Sequence, residues 1–318
     1  MTRNITIRGS VPPLLTMLNE DMSMDEDAQR ELLWHVCTRN KPYAVFVNGT
    51  TGEFRSLRVG TQLRNLEVCI QEVRRINQMQ GSKIYVFTGI GVPAADEGEA
   101  IEFTVKQAQA YRDMGADGLV IPFAHFVSHE GIPDAMSALN SLDIALIGYD
   151  NPAFGYKVSD SMAWDFSFYE NARAFKDSSG TMDIAITLSD RYPDVTVLTG
   201  DEGKIAEAAR NGSVGHVASM ANLVTKLNDI DYREDLQKSQ KEVNELKSIC
   251  HPYGDPGGAI YIYKWALGKI YGIGQLRDDH PVISDPQLQP ADKGKADGLD
   301  VTLSQHKAFM LELIQPYI

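Results

Sequence analysis

Short apolar runs and amphipathic stretches alternate along most of the chain. Runs of four or five apolar residues, typical of buried strands, are separated by segments whose apolar residues recur at helical spacing. A first strand is predicted around Ile5 and Ile7. The seven further predicted strands are residues 44–47, 84–87, 119–122, 145–149, 172–176, 195–198 and 215–218. Strands joined by helical crossovers form parallel sheets, and eight such units favour a closed barrel over an open doubly wound sheet.

The predicted fold is therefore α/β, a (β/α)8 TIM barrel spanning residues 1–225. One of its helices opens at Ser23-Met24-Asp25-Glu26, which has the form of a capping box with Ser23 as the cap. Residues 226–318 lack the strand alternation and carry helical stripes, an Asp/Pro/Lys/Gly-rich loop over 278–299 and a last short helix over 304–314. This part is predicted to be a C-terminal helical extension packed on the barrel.

Composition and charge narrow the function classes. The 318 residues are 43% hydrophobic, enough for a large core, and the net charge of −13 argues against nucleic acid or an anionic membrane as a partner. The three cysteines, Cys37, Cys69 and Cys250, are widely spaced, so neither a disulfide framework nor a thiolate metal site is expected. No apolar signal core or membrane-spanning run is apparent, so the expected location is cytoplasmic.

A lysine closes the sixth predicted strand. The run Ala172-Arg173-Ala174-Phe175-Lys176 leads into a turn-forming Asp-Ser-Ser-Gly. Because strand side chains alternate, Ala172, Ala174 and Lys176 are expected to share one face, and Tyr149 on the neighbouring strand is expected to point into the same barrel mouth. A poorly hydrated amine is biased toward its neutral, nucleophilic form, which suits imine formation with a 2-oxo acid.

Several motifs at the carboxyl ends of the strands, where barrel active sites lie, occur in a familiar order. They are Gly49-Thr50-Thr51-Gly52-Glu53, Tyr149-x-Asn151-Pro152, Lys176-Asp177-Ser178-Ser179-Gly180, Gly200-Asp201, Gly212-x-x-Gly215 and Ala221-Asn222. In order and spacing the chain resembles the dihydrodipicolinate synthase / N-acetylneuraminate lyase family over residues 5 to about 225. That family consists of metal-free class I lyases on (β/α)8 barrels, usually tetramers.

The resemblance implies a role for each matching residue. Lys176 would form the Schiff base, Tyr149 would shuttle protons, and Thr51 would act with them as a catalytic residue. Gly49, Thr50 and Thr51 would hold the substrate carboxylate, Val217 would line the pocket through its carbonyl, and Phe154 would lie at its distal end. No cofactor is implied.

Two departures argue against the synthase reaction itself. Phe154 stands about where the synthases have an arginine that meets the second substrate's carboxylate, and Pro122-Phe123-Ala124 replaces a Pro-Tyr-Tyr segment that supplies a second phenol. With Phe123 and Phe154 in place, the distal pocket is expected to be more apolar. Tyr149-x-Asn151-Pro152 also resembles the motif of hydratase-aldolases that cleave aryl-substituted 2-oxo acids.

Other candidate sites are weaker. His125 and His129 have a helical spacing that zinc could use, but no third ligand is apparent, and no metal is expected. His216 is predicted to be a packed core histidine. Gly89-Ile90-Gly91 lacks the third glycine of a dinucleotide fingerprint.

The sequence thus predicts a pyruvate-dependent aldolase acting on a 2-oxo acid and an aldehyde, assembled as a homo-oligomer, a tetramer or a dimer. A hydro-lyase acting on a 2-oxo-3-deoxy sugar acid through the same lysine is the alternative, and dihydrodipicolinate synthase is third. A catalytically silent barrel that only binds a 2-oxo acid is the non-enzymatic alternative.

Overall fold

The computed structural model describes residues 5–19, 21–90, 97–125, 131–152, 157–192, 194–224, 240–241, 243–245, 247–248 and 256–274. Within them, eight strands form one parallel sheet in the order β1-β8-β7-β6-β5-β4-β3-β2. The strands are β1 Gly9–Ser10, β2 Ala44–Val47, β3 Tyr85–Gly89, β4 Gly118–Pro122, β5 Ala145–Asp150, β6 Ala172–Asp177, β7 Thr196–Thr199 and β8 Gly215–His216. The predicted (β/α)8 barrel is confirmed.

Helices alternate with the strands, as the apolar periodicity predicts. They are α1 Glu26–Asn40, α2 Val59–Gln80, α3 Glu97–Met114, α4 Gly131–Asn140, α5 Asp160–Ser167, α6 Asp183–Arg191, α7 Ile205–Arg210 and, after the barrel, α8 Pro256–Ala266, which runs into a π-helical turn over Leu267–Tyr271. No described helix has the length and apolar character needed to cross a bilayer.

The barrel closes through the segment that follows β1. The Tyr43 amide donates to the Ser10 carbonyl at 3.0 Å and the Phe46 amide to the Pro12 carbonyl at 2.9 Å, while Leu14 donates back to Phe46 at 2.8 Å. The first strand is shorter and later than predicted, since only Gly9–Ser10 pairs with β8. Ile5 and Ile7 nevertheless pack in the barrel interior.

Side chains from every strand region fill the barrel interior. One cluster of buried side chains contains at least one residue from each strand or from the residues next to it, among them Phe46, Phe87, Val120, Ile147, Tyr149, Ala174, Leu198 and Val217. A second, larger cluster lies between the strands and the surrounding helices. Strands buried on both faces read as continuous apolar runs, which explains why they are visible in the sequence.

Two local predictions are wrong. Helix α1 is capped by Asp25, whose side chain accepts the Ala28 amide at 3.0 Å, while Ser23 bonds Asp21 instead. In β6 the register with β5 shifts between Leu146 and Ile147, so Ala172 packs in the outer cluster with Phe175, whereas Ala174 faces inward. Lys176 therefore shares its face with Ala174 alone.

A buried ion pair joins the described part of the C-terminal region to the barrel. Lys264 of α8 contacts the carboxylate of Glu53, and each side chain is only 9% exposed. Glu53 adopts a left-handed backbone conformation at φ 59°, at the end of the turn that carries Thr50 and Thr51. This contact ties the turn to α8. The proposed boundary at residue 225 stays a prediction.

We expect Lys264→Met to lower the free energy of unfolding by about 3 kcal/mol, because it leaves the Glu53 carboxylate buried without its cation. The double variant Lys264→Met/Glu53→Gln should recover most of that loss. Urea unfolding measures both, with Lys269→Met, on the exposed side of the π-turn, as the matched control. Equal stability of the single and double variants would show that the pair contributes little.

Candidate active site

Lys176 and Tyr149 lie side by side in the barrel mouth. They are register partners on β6 and β5, and both side chains face the interior. The Lys176 amine lies 3.8 Å from the centroid of the Tyr149 ring and 5.3 Å from that of Phe46. Lys176 is 7% exposed and Tyr149 4%. The predicted pairing of a poorly hydrated amine with a phenol is therefore present in the structure.

The phenol oxygen of Tyr149 is set up to carry negative charge. Burial by itself raises the pKa of a tyrosine, but the charge of Lys176 and hydrogen bonds with Lys176, Thr50 and Asn151 outweigh it, and the pKa of Tyr149 is lowered. The Asn151 side-chain amide donates to this oxygen at 3.0 Å. Asn151, singled out in the sequence only as part of a motif, thus acts on the phenol directly.

The turn after β2 places both threonines beside this pair. Thr51 shares a hydrogen bond with the Ser219 hydroxyl at 2.7 Å, and Ser219 begins the turn after β8. The Thr50 hydroxyl is buried and lies beside the Tyr149 phenol, whose pKa it helps to lower. The turn therefore places a hydroxyl donor next to the proposed reactive groups.

Glycines let the backbone close around these groups. A Cβ on Gly49 would lie 2.8 Å from the Phe46 ring. At Gly200, a Cβ would lie 1.9 Å from the Ser178 hydroxyl and 3.1 Å from Cε of Lys176. The absence of a side chain at Gly200 leaves room for the lysine stem, which gives the Gly200-Asp201 motif a physical reason.

The other residues predicted to lie in the pocket are Val217, Phe154 and Phe123, of which the structure describes Val217 and Phe123. Val217 is buried in the barrel interior, and its expected role in lining the pocket through its carbonyl stays a prediction. Phe154 lies outside the described residues. Phe123 does not line the pocket: its ring packs edge-on against Phe166 and Phe175, 5.7 and 5.8 Å away, in the outer cluster. The expectation that Phe123 makes the distal pocket more apolar is wrong, because the first residue after β4 turns toward the helices.

The histidines contribute no described metal site. His216 is 1% exposed, and burial lowers its pKa to about 4 despite the nearby Glu202 carboxylate, in keeping with a packed core histidine. His129 lies outside the described residues, so the structure does not test whether His125 and His129 could bind a metal together.

Sequence reasoning missed two carboxylates behind the catalytic face. Asp150 and Asp177 directly follow Tyr149 and Lys176, are register partners, and are 0% and 5% exposed. One Asp150 oxygen accepts the Val158 amide at 3.0 Å, and the other has no hydrogen-bond partner among the described residues. Burial and the neighbouring Asp177 raise the pKa of Asp150 to about 6.

Because the folded-state pKa of Asp150 is raised, its contribution to stability is fully present below pH 3.8 and is lost as pH rises to about 6. We expect Asp150→Asn to be more stable than the parent at pH 8 by about 1–2 kcal/mol, and about equal near pH 4. Urea unfolding at the two pH values measures this, with the exposed Asp190→Asn as control. An equal difference at both pH values would contradict a buried ionisation.

Comparison with known proteins identifies the family of the chain. The model of the dihydrodipicolinate synthetase family matches residues 6–253. A 4-hydroxy-tetrahydrodipicolinate synthase from Cellvibrio japonicus is 28% identical over 230 residues, covering 69% of this chain and 72% of the relative.

Solved structures show the same fold at lower identity. A crystal structure described as a putative dihydrodipicolinate synthetase from Pseudomonas aeruginosa is 17% identical, with a TM-score of 0.76 over 98% of this chain and 100% of the other. N-acetylneuraminate lyase from Fusobacterium nucleatum is 18% identical, with a TM-score of 0.75 over 98% and 99%. The family match over residues 6–253 shows that the chain belongs to the dihydrodipicolinate synthetase family, whose members are class I, Schiff-base lyases of the aldolase type.

Proposed function

We propose that the protein is a pyruvate-dependent aldolase in which Lys176 carries the substrate as an imine. The observation that supports this most is the amine of Lys176 lying 3.8 Å from the Tyr149 ring centroid inside a closed barrel mouth. A nucleophilic amine and a proton-transfer group in one dry pocket are the two parts that Schiff-base lyase chemistry requires.

In the proposed first step, the neutral amine attacks the keto carbon of a 2-oxo acid. A C–N bond forms, and the former carbonyl oxygen leaves as water after taking up protons, which gives a protonated imine. The Tyr149 and Phe46 rings, which face the amine, favour a cation at this position. The same rings therefore stabilise the iminium once it has formed.

In the proposed second step, the phenolate of Tyr149 takes the proton from the substrate's hydroxyl group. The C–C bond then breaks, its electron pair moves into the iminium, and the aldehyde leaves. Protonation of the resulting enamine and addition of water release pyruvate and the free lysine. The lowered pKa of Tyr149 makes the phenolate accessible for this step.

The threonine turn would bind the carboxylate of the 2-oxo acid. The Thr50 hydroxyl and the backbone amides of the turn would supply donors, and hydrogen bonds from several donors to a carboxylate are strong in a water-poor site. The Thr51–Ser219 contact fixes the second threonine, which we propose holds the turn in its binding conformation.

Reduction with borohydride in the presence of pyruvate tests the proposal. We expect a stable adduct, located on Lys176 by peptide mass analysis. No adduct would remove the Schiff-base mechanism and leave the silent binder. Product analysis then separates the alternatives: pyruvate with an aldehyde supports the aldolase, whereas a dehydrated 2-oxo acid without cleavage supports the hydro-lyase.

We also propose a cytoplasmic homo-oligomer, a tetramer or a dimer. The proposal is carried over from the family resemblance, and sedimentation velocity across a concentration series measures the state directly.

A further inference from the structure

A cleft on the outside of the barrel lies between α1, α2 and the end of the π-turn. Its volume is about 690 Å³, within the range of small-molecule sites. None of the residues assigned to the barrel mouth lines it. The side chains that line it include Trp34, His35, Arg39, Glu72, Arg75 and Tyr271.

One buried polar atom in this cleft has no hydrogen-bond partner of normal geometry among the described residues. It is Nε2 of His35, a residue that is only 5% exposed, whereas the hydroxyl of the neighbouring Tyr271 interacts with the Arg39 guanidinium. The two rings lie 4.2 Å apart. Unpartnered buried polar groups are rare in folded proteins, and a ligand is one physical reason for them.

The imidazole of His35 presents an acceptor to the cleft. Burial lowers its pKa to about 4, and the Leu223 carbonyl hydrogen-bonds the ring. A neutral imidazole has one N–H, and the carbonyl takes it. Nε2 is then left with its lone pair, so a complementary ligand brings a hydrogen-bond donor to this atom.

The cations of the cleft are not equivalent. Glu72, 3% exposed, accepts hydrogen bonds from Arg75 and lies 3.6 Å from Arg30, so these two arginines share a carboxylate. Arg39 makes no ion pair with a described carboxylate, and its guanidinium carbon lies 4.9 Å from the centroid of the Tyr271 ring. A guanidinium in a concave site that pairs with no described carboxylate favours a ligand carboxylate.

The indole ring of Trp34 forms an apolar side of the cleft. The Trp34 indole is 39% exposed, and the Arg75 guanidinium lies 5.3 Å from its centroid. An exposed tryptophan held in place by a cation offers a surface for an apolar or aromatic group.

We propose that this cleft binds a small hydroxycarboxylate with an apolar or aromatic substituent. Its carboxylate pairs with Arg39, its hydroxyl donates to Nε2 of His35, and its substituent packs on Trp34. The His35 ring and the Arg39 guanidinium both lie against the Tyr271 ring, 4.2 Å and 4.9 Å from its centroid. A ligand that contacts both groups therefore has its hydroxyl close to its carboxylate, as in a 2-hydroxy acid.

Isothermal titration calorimetry on the intact protein with mandelate and lactate tests this site. We expect one mandelate site per chain, with lactate weaker because it lacks the ring. Arg39→Gln should weaken mandelate binding at least about tenfold, and phenylacetate, which lacks the hydroxyl, should bind the parent about fivefold more weakly. Arg30→Gln, a charge loss in the same cleft at an already paired arginine, should change affinity by less than about twofold.

One control keeps the result independent of the proposed reaction. Lys176→Met should bind mandelate like the parent; loss of binding in this variant would place the ligand in the barrel mouth and overturn the proposal. Absence of binding by both probes up to about 10 mM, or equal affinity for mandelate and phenylacetate, would also overturn it. The probe series on the parent decides the matter even if Arg39→Gln proves unstable.

Discussion

Lys176→Met is expected to lower turnover of the 2-oxo acid substrate by at least about 10³-fold, because it removes the amine that would form the imine. The methionine keeps the length and the apolar stem of the side chain, which lies against Gly200. The barrel mouth should therefore keep its shape while it loses its nucleophile. Steady-state kinetics and borohydride trapping with pyruvate measure the two losses together.

Lys241→Met is the matched control for this variant. The Lys241 side chain is 80% exposed and lies 3.8 Å from Glu245, outside the barrel. The Lys241→Met variant should retain the turnover of the parent and give the same yield of the borohydride adduct. If Lys176→Met kept turnover within about tenfold of the parent, catalysis would not pass through an imine at this residue.

The barrel and the pairing of Lys176 with Tyr149 could be predicted because both depend on local periodicity. Parallel strands buried on both faces appear as short apolar runs, and neighbouring strands bring side chains of the same parity together. Tyr149 and Lys176 each stand at the end of such a run. Strand order and alternation place both residues at the same end of the barrel and on the same face.

Features set by tertiary structure could not be predicted. The register shift beside Ala172 depends on how β5 and β6 pair, and nothing in the run Ala-Arg-Ala-Phe-Lys marks it. Lys264 and Glu53 are 211 positions apart, and neither stands in a pattern that points to the other. The capping error at Ser23 has a local cause: Ser23 and Asp25 are both good N-caps, and the Ser23 hydroxyl bonds the Asp21 carboxylate instead.

Strand alternation also explains the carboxylates that sequence reasoning passed over. One residue beyond Tyr149 and Lys176 the parity reverses, so Asp150 and Asp177 point away from the barrel mouth. The signal was present in the two strand ends, Tyr-Asp and Lys-Asp. The same two strands thus place the proposed reactive groups on one side of the sheet and two buried carboxylates on the other.

Tyr149→Phe is expected to reduce turnover by about 10²–10⁴-fold, the usual contribution of a positioned acid–base group. Phenylalanine keeps the ring that faces the Lys176 amine, so the cation–π contact and the packing remain. The substitution removes the phenol oxygen together with its hydrogen bonds, which include the one from Asn151. Borohydride trapping should still give the Lys176 adduct, more slowly than in the parent.

The pH dependence separates a proton-transfer role for Tyr149 from a structural one. In the parent, the lowered pKa of Tyr149 should appear as a titration in the pH profile of kcat/KM, and Tyr149→Phe should lose it. Tyr169→Phe, which removes a hydroxyl bonded to the Pro133 carbonyl, is the matched control and should keep both turnover and profile. A Tyr149→Phe enzyme with reduced activity but an unchanged pH profile would assign the titration to another group and leave the phenol a packing role.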